Sequence, residues 1–268
     1  MCKIVSVHSF RGGTGKSNMV ANVAATMTQQ GHKVGIIDTD IQSPGIHVIF
    51  GLDEDQMDRS LNDYLWGNCD IQETAYDVTR VFNDEPVDGR LYLIPSSIKA
   101  GEIARVLREG YDVGRLNDGF QELIRCLDLD YLLIDTHPGL NEETLLSIAI
   151  SDVLMVILRP DRQDFQGTAV TVDVARKLQV PQMLLVVNKV LPAYDFEALK
   201  TKVQNSYQTD VAGIVPLSED IVHLASSDVF CLRHPEHSFS QTVREISQQI
   251  ISKPQAVLVG ANRRSPSN

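Results

Sequence analysis

The chain has 268 residues, 43% of them apolar, and a formal net charge of −11. That is length enough for one large domain with a substantial core, and no apolar run of about 18 residues is present to make a transmembrane helix. The acidic balance argues against broad nonspecific DNA binding, which needs a positive field.

The start, Met1-Cys2-Lys3-Ile4, enters a strand at once, without the charged, apolar and small-residue regions of a secretory signal. The four cysteines, Cys2, Cys69, Cys126 and Cys231, are scattered with no CxxC. This argues against metal or cluster binding within one chain and for a reducing cytoplasm.

In chain order, short β runs alternate with helical segments. Strands are expected at Lys3–Ser9, Lys33–Asp38, Leu91–Ile94, Tyr131–Asp135, Asp152–Leu158, Met183–Val190 and Gly213–Val215. Runs such as Leu132-Leu133-Ile134 suit strands buried on both faces. Helices are expected at Asn18–Gln30, Leu61–Trp66, Gly101–Arg108, Val113–Leu127, Glu142–Ile150, Gly167–Lys177, Phe196–Asn205, Glu219–Ser226 and Phe239–Ile251. Polar, irregular Asp53–Asp88 reads as excursions outside the sheet. The pattern predicts an α/β fold, a doubly wound, mostly parallel sheet flanked by helices. Residues 1–252 are expected to form the single domain, and 253–268 a polar, flexible tail.

Between the first strand and first helix lies Ser-Phe-Arg-Gly-Gly-Thr-Gly-Lys-Ser-Asn, residues 9 to 18. Gly12, Gly13, Thr14 and Gly15 form a loop whose backbone N–H groups cradle phosphate oxygens, at the positive end of a helix dipole. Lys16 would reach the β- and γ-phosphates and Ser17 would ligate Mg²⁺, with Asn18 closing the stretch. In Ile36-Ile37-Asp38-Thr39-Asp40 two carboxylates follow a strand, placed to orient water or hold the ion's hydration shell. Leu132-Leu133-Ile134-Asp135-Thr136-His137-Pro138-Gly139 is an apolar strand ending in Asp, which would hold Mg²⁺. Its Pro-Gly turn is suited to move when phosphate leaves. His137 is tempting as a base, though a lone loop histidine is more often just exposed. At Val186-Val187-Asn188-Lys189 the amide is suited to read an adenine edge while the Lys stem covers the ring.

Arg11-Gly12-Gly13-Thr14-Gly15-Lys16-Ser17 resembles the deviant Walker A loop of the MinD/ParA family, with Arg for the usual Lys and Phe10 where an ordinary P-loop has Gly. The resemblance spans roughly residues 3–250. It implies that Asp40, in the switch I segment, is linked to hydrolysis and sits with Ser17 and Asp135 around Mg²⁺. Asp135 to Leu140 resembles switch II, with Pro138-Gly139 displaced by one from the commonest form. Asn188-Lys189 falls where the family binds the base, and Ile214 to Asp220, with Pro216 and Glu219, looks like its late loop beside the base.

The function implied is an Mg²⁺- and ATP-binding, ATP-dependent dimerising ATPase, a positioning or partitioning switch, slow alone and stimulated by an activator or cargo-adaptor protein. The alternative is a non-hydrolysing, nucleotide-dependent scaffold. A cluster carrier of the superfamily lacks its CxxC here, and no dedicated pocket for a synthetase substrate is identifiable. In the family the Lys at position 11 reaches the phosphates of the other subunit of a homodimer. Arg11 would either do the same as part of the catalytic set with Lys16 and Asp40, or pair with a local carboxylate. The resemblance also raises a membrane surface or DNA as a place of action. Ala256 to Val259 followed by Arg263-Arg264 makes a poor amphipathic helix, and Arg176, Lys177, Arg233 and Arg244 are dispersed.

Overall fold

The computed structural model describes residues 2–83 and 86–252. The tail expected at 253–268 lies outside the described residues. The strands are β1 (Lys3–His8), β2 (Lys33–Asp38), β3 (Tyr76–Asp77), β4 (Arg90–Ile94), β5 (Tyr131–Asp135), β6 (Val153–Leu158), β7 (Gln182–Val190) and β8 (Val211–Pro216). The helices are α1 (Lys16–Gln29), α2 (Ile46–Ile49), α3 (Leu61–Leu65), α4 (Ala100–Glu109), α5 (Val113–Cys126), α6 (Glu142–Ala149), α7 (Arg162–Lys177), α8 (Phe196–Tyr207), α9 (Glu219–Leu224), α10 (Phe230–Arg233) and α11 (Ser238–Ser252).

The strands form one eight-stranded sheet in the order β3-β4-β2-β5-β1-β6-β7-β8. Every pairing is parallel except β3 with β4. A parallel sheet needs a crossover after each strand, and the helices that make the crossovers cover both faces. The apolar strand runs follow from this. In β1, Val5 and Val7 face a core with Met19, Val23 and Met27 of α1 and Val243, Ile246 and Ile250 of α11, whereas Ile4 joins Phe120 and Leu132 on the opposite face. A third cluster joins Leu154, Val156, Leu185 and Val187 to Val172 of α7 and Val203 of α8. The buried face expected of the last helix is therefore packed, not presented to a partner.

Two boundaries differ from expectation. Within the stretch read as outside the sheet, Tyr76 and Asp77 add an antiparallel edge strand opposite Leu93 and Tyr92. Two residues are too short a segment for alternation to show. Helix α7 begins at Arg162, five residues before the expected Gly167. Its start is set by Asp161, whose carboxylate accepts from the N–H groups of Gln163 and Asp164.

The chain runs outward from β1 in both directions, to β5 and β2 on one side and to β6 and β7 on the other. Such a reversal leaves a crevice at the carboxyl ends of the strands, where ligands bind. The register aligns those ends: Asp135 of β5 lies opposite Val7 of β1 and Asp38 of β2.

Candidate functional site

The loop between β1 and α1 is built around two left-handed glycines, Gly13 (φ 75°) and Gly15 (φ 92°). A Cβ on Gly15 would stand 2.5 Å from Asn188 Nδ2, so any other residue there meets a second obstacle. At Gly13 nothing lies within 4 Å of a Cβ position, which leaves that side of the loop open to a ligand. The first turn of α1 carries no acidic residue to compete for its N–H groups. Phe10 has a packing role. Its ring closes on α7 so tightly that Gly167 is the residue that fits beneath it.

Lys16 is buried at the floor, its Nζ 2.7 Å from Asp135 Oδ1. Burial opposes the charge, but Asp135, Asp40 and Asp38 outweigh it and raise the Lys16 pKa. Asp135 Oδ2 is buried without a hydrogen-bond partner. A buried carboxylate oxygen left bare is costly, and a hard divalent cation would satisfy it. Asp38 is fully buried, and burial together with the charge of Asp135 raises its pKa to about 8. It accepts from the N–H groups of Asp40 and Gly45, at 3.0 and 3.3 Å, and so shapes the loop that carries Asp40. Asp40 itself bonds His137, Oδ1 to Nδ1, at 2.6 Å. Ser17 follows Lys16 on the first turn of α1, half-buried. The bare Asp135 oxygen and the Ser17 hydroxyl are oxygen donors of the kind Mg²⁺ takes, and the glycine loop with Lys16 is suited to a phosphate chain.

Beside the loop is a cavity of about 350 Å³. It is lined by Gly15, Asn18, Asn188 and Lys189 beside the glycine loop, by Pro216 at the end of β8 with Leu217 and Ser218 after it, and by the apolar Ile221, Val222 and Phe239. Glu219 is exposed on the first turn of α9 and is not among the lining residues, whereas Leu217 and Ser218 are. Asn188 lines the cavity but its amide is engaged: Nδ2 donates to Thr14 O at 2.7 Å and Oδ1 accepts from Lys189 N. Lys189, held at φ 58°, donates from Nζ to Gly13 O at 2.8 Å. Both side chains expected at the base therefore brace the phosphate loop. Asn18 Nδ2 donates to Ser226 Oγ at 3.0 Å, and both residues line the cavity.

Arg11 stands at the rim, its side chain 41% exposed. Its Nη1 lies 3.6 Å from Asp164 and 3.9 Å from Asp161. Asp164 already accepts from the Arg159 backbone N–H and from its Nε at 2.9 Å. The local carboxylate partner expected as an alternative exists, but the contact is long, shared and half-exposed, so releasing it costs little.

His8, beneath the loop, was not legible as a site residue. Thr136 Oγ1 donates its proton to Val7 O, so the His8 Nδ1–H donates to Thr136 and Nε2 is left bare. Burial, with the charge of Lys16, lowers the His8 pKa from 6.5 to about 3. The unfolded chain takes up that proton near pH 6.5, so the contribution to stability is intact above that value and is lost as the pH falls. Denaturant unfolding is expected to lose about 2 kcal/mol between pH 7 and pH 5 from this group alone. A His8→Asn variant, less stable at pH 7, shows a correspondingly smaller loss; an unchanged slope would remove His8 as its source.

The family model described as an AAA domain matches residues 2–184, more than half of the chain. An uncharacterized ATP-binding protein of Methanocaldococcus jannaschii is 24% identical over 254 residues, covering 94% of this chain and 88% of its own. The flagellum site-determining protein YlxH of Helicobacter pylori is 24% identical, covering 94% and 82%. An iron-sulfur cluster carrier protein of Saccharolobus solfataricus is 28% identical, covering 92% and 82%. Among solved structures, the septum site-determining protein MinD of Pyrococcus horikoshii in complex with Mg-ADP superposes with a TM-score of 0.76 at 19% identity, over 94% of this chain and 96% of that one. The MinC:MinD cell division protein complex of Aquifex aeolicus gives 0.75 at 17%, over 94% and 97%.

Proposed function

This chain belongs to the AAA domain family and has the MinD/ParA P-loop fold; from that premise we propose that it is an ATP-dependent dimerising ATPase acting as a positioning or partitioning switch. The observation that carries the reading is the buried Lys16–Asp135 pair at the head of a glycine loop, with a bare Asp135 oxygen beside it. Lys16 binds the β- and γ-phosphates, and Ser17 and Asp135 would hold Mg²⁺. The ion, when bound, neutralises charge on the phosphates. Asp40 orients a water whose oxygen bonds to the γ-phosphorus as the bond to the β–γ bridging oxygen breaks. The products are ADP, phosphate and one released proton. Turnover is slow until a partner protein stimulates it. The solved complexes of MinD with Mg-ADP and with MinC support nucleotide and protein partners of this kind.

A cluster-carrier reading is favoured by the names of several relatives, which are iron-sulfur cluster carrier proteins. Against it stands the sequence, which has no CxxC. Cys231 is also buried, and burial raises its thiol pKa to about 11, away from the thiolate a metal needs. For the surface on which such a switch would act, DNA draws little support. Arg176, Arg233 and Arg244 each bond within their own neighbourhood, to Tyr207 O, Asp228 and Pro235 O. We place the protein in the cytoplasm, with or without a peripheral surface.

Phosphate release from Mg-ATP, measured with and without cell extract, tests the reading. Release that rises with extract supports the switch. Tight ATP binding with no release in either condition supports the scaffold instead.

Arg11 is proposed to reach the partner subunit's phosphates once ATP is bound, leaving Asp164 to Arg159. Arg binds phosphate bidentately and stays charged. Arg11→Ala is expected to leave nucleotide affinity of the monomer unchanged and to weaken the ATP dimer about tenfold or more, the scale of one lost charge-assisted contact. Sedimentation of both proteins in Mg-ATP reads this; equal dimer fractions would assign Arg11 to the local pair alone.

A further inference from the structure

The His137 ring makes a contact that the ATPase reading does not use. The loops after β2 and β5 leave adjacent strands at the same edge, with Asp38 opposite Asp135 in the register. His137 Nδ1 and Asp40 Oδ1, 97 residues apart in the chain, meet at 2.6 Å. An ionised carboxylate only accepts, so Nδ1 carries the proton and donates it. The pair is mostly buried, with the His137 side chain 24% and the Asp40 side chain 14% exposed. Among the described residues, His137 is the side chain bonded to the Asp40 carboxylate, and Oδ2 is left without a partner. The Asp40 backbone is fixed independently, through its N–H to Asp38 Oδ1. Backbone and one carboxylate oxygen are therefore both held, and one oxygen is left to act.

We infer that His137 is a positioning residue for the reaction: its Nδ1–H fixes the Asp40 carboxylate so that the other oxygen receives the attacking water. The bond also ties the loop bearing Asp40 to the loop that follows Asp135. This rests on the ATPase reading. In this role His137 itself touches neither water nor phosphate, and takes no proton from them. What it supplies is rotamer restraint on Asp40, and misplacement of a catalytic group by about 1 Å can cost on the order of 10²-fold in rate.

The test compares wild type, His137→Ala, His137→Asn and Asp40→Ala, with the double variant His137→Ala/Asp40→Ala. Asn carries an amide nitrogen where His carries Nδ1, so it keeps a donor to Asp40. His137→Ala is expected to lower kcat by about 10–100-fold, with KM and the affinity for a fluorescent ADP analogue held within about twofold. His137→Asn restores most of that loss, and the double variant is no slower than Asp40→Ala alone. In the nucleotide-free protein, the ¹⁵N spectrum of the His137 ring shows Nδ1 protonated, and Asp40→Ala removes that preference. Unchanged kcat in His137→Ala, a loss that Asn does not restore, or losses that add in the double variant would overturn the role. If wild type releases no phosphate while the ring spectrum still responds to Asp40→Ala, the ATPase reading fails and the catalytic role falls with it.

Discussion

Lys16→Ala is expected to lower phosphate release about 10²–10³-fold, the usual scale for removing one preorganised donor from a developing charge. Two consequences follow from its place in the fold. Lys16 is buried and its one partner, Asp135, has its other oxygen bare, so truncation leaves a carboxylate buried without its counter-charge. Breaking such a pair by removing one member costs about 3–5 kcal/mol, and the variant unfolds at lower denaturant. Lys16→Gln separates the two effects, because the amide still donates to Asp135 but carries no charge. It recovers much of the stability and little of the activity. Phosphate release and urea unfolding on the three proteins check this. Activity returning in step with stability would mean that Lys16 serves the fold and not the phosphates.

Asp40→Ala is expected to reduce turnover by about 10²-fold or more, the range over which a positioned acid–base group contributes, while ATP affinity changes little. The side chain stands on the loop after β2, away from the cavity lined by Asn18 and Phe239, so base binding does not depend on it. Its loss also frees His137, but the fold keeps Asp38, whose bonds to the Asp40 and Gly45 N–H groups set the loop. Nucleotide binding thus continues and the cycle stops before hydrolysis. The ATP-bound dimer accumulates and outlives that of wild type. Steady-state phosphate release equal to wild type would remove Asp40 from the reaction.

The phosphate loop, the two acidic strand ends and the parallel sheet were legible because each depends on local pattern. Gly13 and Gly15 announce positive φ, and Leu132-Leu133-Ile134 announces a strand covered on both faces. The edge strand Tyr76–Asp77 was hidden by its brevity. The first turn of α7 was hidden because Gln163 and Asp164 look like loop until Asp161 is seen capping them.

The site contacts that were not legible are long-range. Nothing in Asn188-Lys189 says that both side chains would turn to the carbonyls of Thr14 and Gly13, more than 170 residues away. Nothing in a lone loop histidine says that it meets Asp40. Phe10 was legible as a departure from the ordinary loop, and its reason emerged only with the glycine opposite it, Gly167. Position 11 is similar: the sequence offers a cation, and the fold supplies both an acidic resting place at Asp161 and Asp164 and the exposure needed to leave it.

Sedimentation of the wild-type chain in Mg-ADP and in Mg-ATP reads whether the γ-phosphate sets subunit association. A monomer in ADP and a dimer in ATP are expected at the same protein concentration, with the dimer decaying as phosphate is released. The same mass in both nucleotides would contradict it.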